Sequence, residues 1–363
     1  MDKIISQSMK QVKISVIIPV FNVELYLRQC LDSVINQSLQ EIEILCINDG
    51  STDHSLSILK EYATKDDRIR VIDKENEGQG VARNIAIKQA TGEYLGFVDS
   101  DDWIEANMFQ ALYTSAKTFD SDVTLCEYQH FDQDTGIISQ ADWHKLPIDV
   151  KFDGKTFCWE EINEVGFLIN SGPWNKIYRK DFVTKNNIEF APGLHYQDVL
   201  FVFKSLVFAK NISLVRTPFY IYRYSRPGST SSDKGKKQFD IFGVLNLLEV
   251  TLEDSKKFEL LKVKFNEYKF DQYLFHFSKV NIKYRKKFWG RIKSEFKKLD
   301  EDLKESLFSY NDRLKIGITK GMFFYANYQN IKETRFLINQ VLFSHNIKGR
   351  LRAIFSNLLR FNN

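Results

Sequence analysis

The first strongly patterned stretch is Ile14-Ser-Val-Ile-Ile-Pro-Val20, apolar at nearly every position, as in a strand covered on both faces. Leu27, Leu31 and Val34 then share one helical face and predict a helix over 26–34. The apolar run 42–47 predicts a second strand, 55–62 a second helix, 69–72 a third strand and 80–90 a third helix. A fourth strand follows at 94–98. Between them, Asp49-Gly50-Ser51-Thr52-Asp53 is turn chemistry that also caps the helix from Ser55. Strands alternating with helices predict a parallel sheet with helices on both faces. Such sheets bind ligands beyond the carboxyl ends of their strands, where Asn48-Asp49-Gly50 and Asp99-Ser100-Asp101 stand.

Past Phe119 the alternation weakens. Residues 121–128 read as another strand and 199–209 as a buried helix. From Lys234 the pattern is helical, basic and aromatic, and the turn-rich segment 226–235 before it marks the expected domain boundary. Two regions are therefore expected, 1–233 and 234–363. The four cysteines, Cys30, Cys46, Cys126 and Cys158, lack metal-type spacing and read as reduced thiols of a cytosolic protein. No apolar run approaches the roughly 20 residues of a membrane-spanning helix, and the first 13 residues lack the apolar centre of a secretory signal.

Charge sharpens the division. Residues 1–233 carry 24 Lys and Arg against 33 Asp and Glu, a balance of −9, whereas residues 234–363 carry 27 against 14, a balance of +13. This polarity suggests regions with different partners.

The densest chemistry is Tyr94-Leu-Gly-Phe-Val-Asp-Ser-Asp-Asp102, three carboxylates at one strand end. Like charges that close oppose ionisation unless a cation compensates, and hard divalent cations prefer carboxylate oxygens. A helix N-cap at Asp101 or Asp102 is the plainer reading. An EF-hand is excluded, because Trp103 stands at the third ligand position and the turn glycine is missing. No Ser-His-Asp pattern or P-loop stands out. Gly78-Gln-Gly-Val-Ala-Arg83 matches GxGxxG only in part, with Arg83 in place of the third glycine.

Four stretches in order resemble glycosyltransferase family 2: Val16-Ile-Ile-Pro-Val-Phe-Asn22, Asn48-Asp-Gly-Ser-Thr-Asp53, Asn76-Glu-Gly-Gln-Gly-Val-Ala-Arg-Asn84 and Phe97-Val-Asp-Ser-Asp-Asp102. The resemblance covers about residues 12–105 and continues more weakly to 230. It implies the GT-A fold: a Rossmann-like, mostly parallel α/β sheet covered by helices, followed here by a mainly α-helical C-terminal region. The nucleotide-sugar part would be about 12–105 and the acceptor part about 106–233.

The resemblance also implies a UDP-sugar donor. Asp49 would hold uracil or ribose, with Pro19 and Phe21 lining that pocket and Asn76 and Arg83 on the base. Asp99 would meet the ribose or sugar, and Asp101 would bind Mn²⁺ or Mg²⁺ on the diphosphate. In Tyr196-Gln197-Asp198 the family's catalytic Asp matches as Asp198, while Gln197 departs from the usual Glu. Trp174 and Lys176 are the expected acceptor-side residues. Arg226 is a further candidate for the diphosphate, and His195 reads as structural.

The implied activity is inverting, metal-dependent transfer of a sugar to a saccharide, free or lipid-linked, in cell-envelope or capsular polysaccharide synthesis. The basic segments Lys283–Trp289 and Ile347–Phe361 suggest an anionic membrane surface, on the inner face of the cell membrane. An ordinary helical domain with a basic rim is the alternative; nucleic acid is not expected as a partner, since no nucleic-acid motif appears. Two rival functions share the pattern. A sugar nucleotidyltransferase has the same sheet and metal carboxylate, and a non-catalytic glycan-binding subunit would keep the fold with a degenerate site.

Overall fold

The structure, a computed structural model, describes residues 11–141, 144–224, 226 and 233–311. The predicted alternation is present: β1 (Ile14–Val20), α1 (Leu27–Ile35), β2 (Ile42–Asp49), α2 (Ser55–Ala63), β3 (Ile69–Lys74), α3 (Gln79–Gln89) and β4 (Tyr94–Phe97). Every residue of β1, β2 and β4 is buried, as in strands sandwiched between helix layers. Helix α1 turns Leu27, Cys30, Leu31 and Val34 inward. Next come β5 (Trp103–Ile104), α4 (Met108–Thr118), β6 (Val123–Asp132), β7 (Ile138–Ser139), β8 (Lys176–Arg179), α5 (Lys180–Lys185), α6 (Gln197–Phe208) and β9 (Ile212–Tyr224).

These strands form one sheet in the order β3-β2-β1-β4-β8-β6-β9-β5, with β7 on β6. Strands β3, β2, β1 and β4 are mutually parallel. Beyond them β8 runs antiparallel to both β4 and β6, so the sheet is mixed around its parallel core. Gly96 in β4 is required by close packing: a β-carbon there would stand 2.8 Å from the Phe109 ring of α4.

The chain divides into two compact units, Met1–Lys269 and Phe270–Asn363, the first of which continues past residue 233. The reason is α7 (Asp240–Asp254), whose buried Ile241, Val244, Leu245 and Leu248 belong to a helix packed on α6. A change in charge balance marked a surface property there, not a packing boundary. After α8 (Phe258–Lys279) come α9 (Ile282–Lys297) and α10 (Glu301–Tyr310). The second unit buries Phe288, Trp289, Ile292 and Phe296 of α9, with Phe296 stacked on Phe308 at 5.0 Å. No helix among the described residues is long and apolar enough to cross a membrane. The basic segment 347–361 lies outside the described residues.

Candidate active site

The carboxyl ends of β1 and β2 carry two loops stitched together by short polar side chains. Asn22 donates its N–H to Ser51 Oγ at 3.1 Å and accepts the Thr52 N–H on Oδ1 at 2.8 Å. Val23 N–H reaches Ser55 Oγ at 3.0 Å and Glu24 N–H reaches Asp53 Oδ2 at 3.0 Å. Asn22 holds φ 50°, in the region that Asn tolerates better than most residues. Gly50 has φ +71°, and a β-carbon there would stand 2.7 Å from Asn76 N, so only glycine fits. Phe21, 48% exposed, stands on this platform beside the buried Pro19.

Asp49, expected at uracil or ribose, is bonded to the loop that leads into α3. It is 2% exposed. Its oxygens accept the backbone N–H of Glu77 at 3.0 Å and of Gly78 at 2.8 Å, and Lys74 Nζ at 2.7 Å. Exposed Asn76 donates Nδ2–H to the Asp49 carbonyl at 2.9 Å. Asp49 thus shapes the loop that leads into α3, and the loop presents Asn76.

Arg83 lies one face further in and is 2% exposed. Its Nη2 donates to Asp99 Oδ1 at 2.5 Å, and its guanidinium lies 5.2 Å from the Phe190 ring centre. Burial against Phe190 and pairing with Asp99 hold Arg83 on the carboxylate side of the site. Its Nε is buried without a hydrogen-bond partner among the described residues.

The turn after β4 is held by β9. Asp102 is buried and both its oxygens are taken, Oδ2 by the Tyr220 hydroxyl and Oδ1 by the Arg223 N–H, each at 2.7 Å. Tyr220 Oη also accepts the Asp99 N–H at 3.1 Å, and Arg223 Nε donates to the Asp101 carbonyl at 2.7 Å. Arg226 pairs with Asp101 Oδ2. Burial pushes the Asp102 carboxyl well up, with Asp101 and Asp99 pushing the same way. Burial also raises Asp99, against the opposing pull of Arg83. Tyr220 and Arg223 were not singled out from sequence; their three-residue spacing on a strand gives no signal until the pairing partner is known.

Asp198, the second residue of α6, joins this group from about a hundred residues downstream. Burial pushes its carboxyl up to about 6, Arg83 pulls it down and Asp99 pushes it up, so all three sense one another. Arg83 of α3 hydrogen-bonds Asp99 after β4, and Asp198 at the start of α6 senses both charges.

Trp174 and Lys176 are not open to an acceptor. Trp174 is 5% exposed and stacks on Tyr220 at 4.2 Å. Lys176 is fully buried, and its ammonium donates to the Asn170 carbonyl at 2.9 Å, the Gly172 carbonyl at 2.8 Å and Asn175 Oδ1 at 2.6 Å. Burial pulls it down to about 7, against the opposing pull of Cys126 and Asp198. Both residues support the site from beneath: Lys176 ties down the loop carrying Trp174, and Trp174 backs Tyr220.

Among the described residues no three His, Cys, Asp or Glu side chains converge as a metal cage. The donor set instead suits Mg²⁺ or Mn²⁺, which one or two carboxylates hold together with substrate phosphates. Asp101 and Asp99 remain for that purpose, since Asp102 has both oxygens committed within the fold.

The family model of glycosyl transferase family 2 matches residues 15–180. EpsH of Bacillus subtilis, named as a glycosyltransferase, is 36% identical over 213 residues, 58% of this chain and 60% of EpsH. The chain thus aligns with about three-fifths of that relative. Glycosyltransferase GlyG of Streptococcus pneumoniae is 30% identical over 65% of this chain and 77% of its own length. A solved structure of Staphylococcus aureus TarS, residues 1–349 with UDP-GlcNAc, superposes with a TM-score of 0.67 at 23% identity, covering 86% of this chain and 93% of that one. That likeness shows a shared fold, including helices beyond the sheet. With the family motifs carried on the strand ends described above, the chain belongs to glycosyltransferase family 2.

Proposed function

We propose that this protein transfers one sugar from a UDP-sugar to a hydroxyl of a saccharide acceptor, with inversion, in cell-envelope polysaccharide synthesis. The observation that carries the reading is Asp198 beside Arg83 and Asp99, with a carboxyl at about 6 that is ionised at neutral pH and still basic. The acceptor oxygen attacks the anomeric carbon as its proton passes to Asp198. The bond from that carbon to the phosphate oxygen breaks, and its electron pair leaves with UDP. A single displacement inverts the centre.

Phe21, Pro19 and Asn76 form the nucleoside platform, with Asp49 holding its loop in place. Asp101, with Asp99, would hold Mn²⁺ or Mg²⁺; a bound cation would supply positive charge to offset the negative charge developing on the leaving diphosphate. Support for the donor comes from the TarS structures, which hold UDP-GlcNAc or UDP. Relatives named poly(ribitol-phosphate) β-glucosyltransferase and poly(ribitol-phosphate) β-N-acetylglucosaminyltransferase support a cell-envelope polymer as acceptor.

The test is UDP release across a panel of UDP-sugars with Mn²⁺. One donor is expected to give slow UDP release alone and faster release with acceptor. Pyrophosphate release from a nucleoside triphosphate and a sugar phosphate would select a nucleotidyltransferase instead. Silence with every donor would leave a binding subunit.

The acceptor end reads as lipid-linked, with α9 on the inner membrane surface. Lys283, Lys286, Lys287, Arg291, Lys293 and Lys297 are exposed on α9, opposite its buried aromatic face. Each cation near an anionic bilayer contributes about 1 kcal/mol. Replacing Lys286, Lys293 and Lys297 by Gln is expected to lower partitioning onto phosphatidylglycerol vesicles by about a hundredfold. Flotation equal to the unaltered chain removes the membrane reading.

A further inference from the structure

Asp198 is delivered by an unusual turn. Tyr196, just before α6, has φ 63° and ψ 22°, the left-handed conformation. For a residue with an aromatic side chain this is strained backbone, which persists only where its surroundings enforce it. Tyr196 also begins the helix that carries Asp198, its carbonyl accepting the Val199 N–H at 3.1 Å. If Tyr196 relaxed to a right-handed or extended conformation, the start of α6 and the direction of Asp198 would change together.

Two contacts hold the preceding residues. Asp240, the first residue of α7, places one oxygen, Oδ2, on both the backbone N–H of His195 at 3.2 Å and its ring Nδ1 at 2.8 Å. One turn along α7, Leu194 lies against Gly243, close enough that a β-carbon there would stand 3.5 Å from Leu194 Cδ1. Helix α7 itself packs on α6, so the anchor and the helix being positioned share one support. The Tyr196 ring is also drawn into this corner. Burial raises its phenol, Asp233, Asp240 and Asp198 act in the same direction, and a hydrogen bond with Gln238 opposes them.

We propose that His195 and Asp240 form a latch that holds Tyr196 in its left-handed conformation and so aims Asp198 at the acceptor hydroxyl. His195 and Asp240 are positioning residues. The inference rests on reading Asp198 as the base.

The experiment uses the full chain. His195→Ala and Asp240→Ala are expected to lower kcat at least tenfold with the donor KM within about twofold. Amide exchange in residues 193–200 should speed up at least tenfold. Tyr196→Gly, introduced into either variant, is expected to recover most of the lost kcat, because glycine takes positive φ without the penalty. That recovery separates a latch from general loss of packing. Unchanged exchange and unchanged kcat in both variants overturn the proposal, as does a kcat loss that keeps its full size after Tyr196→Gly is added. If Asp240→Ala does not fold, His195→Ala decides alone, since it leaves the start of α7 intact. Wild-type turnover by Asp198→Asn sinks the base reading separately, and the exchange measurement still judges the latch.

Discussion

Asp198→Asn is expected to lower kcat by a factor of about a hundred to ten thousand, the usual contribution of a positioned base, while UDP affinity stays within about twofold. Asn keeps the size and much of the hydrogen bonding of Asp but takes no proton. For the unaltered protein, kcat is expected to rise with pH through about 6 and then level. That limb reports the Asp198 carboxyl, pushed up from the ordinary value of 3.8 chiefly by burial. An exposed carboxylate would place it near 4. A limb near 4, or substantial turnover by the Asn variant, removes Asp198 from the base role.

The same shift fixes a stability effect of opposite sign to the activity loss. A carboxyl with its folded pKa raised binds its proton more tightly when folded than when unfolded. Stability therefore falls as pH climbs from about 4 to about 6, and the deficit persists above that. A shift from 3.8 to about 6 corresponds to at most about 3 kcal/mol. The amide in Asp198→Asn does not ionise and escapes the deficit. The variant is thus expected to melt above the unaltered protein at pH 8 and together with it below pH 4, a comparison made by thermal denaturation at the two pH values. Lost activity with gained stability is what a half-buried carboxylate kept for chemistry should give.

The sequence made legible what is local. The four motifs are contiguous, each at a strand end, and the apolar runs of β1, β2 and β4 bracket them without ambiguity. What depends on distant partners was not readable. The Asp49 carboxylate was placed on uracil or ribose through the family resemblance alone; its bonds to amides nearly thirty residues on could not be read from the sequence. Lys176 looked like a surface or acceptor cation because polarity at one position does not reveal three carbonyl acceptors folded over it. Strand β8, four residues long, carries too short a pattern to announce itself or its antiparallel direction. The boundary expected at 233 followed charge, whereas α7 followed its apolar face onto α6. Asp198 was visible only through the family resemblance, and the strained residue two positions before it was not visible at all.

Asp101→Asn is expected to weaken UDP binding in Mn²⁺ at least tenfold, about 1.4 kcal/mol, and to make that binding indifferent to chelation. Within the acidic turn, elimination leaves Asp101 as the main ligand for a cation. Asp102 is buried with Tyr220 and Arg223 on its two oxygens and cannot turn outward without leaving both groups unpaired. Asp99 shares its charge with Arg83. Asp101 thus carries most of the affinity for a hard cation, and two carboxylates with no third ligand residue among the described residues make a site that depends on substrate phosphates to complete it. Arg226 on Asp101 Oδ2 strengthens that dependence, because a cation arriving alone must compete with a guanidinium already in place. Calorimetry should therefore be run with UDP and Mn²⁺ together. The unaltered protein in excess EDTA is expected to match the Asn variant, and EDTA should add nothing to the variant's deficit. UDP affinity that is the same with and without EDTA, and the same for the unaltered protein and its Asp101→Asn variant, would show that no divalent cation bridges this turn to the diphosphate.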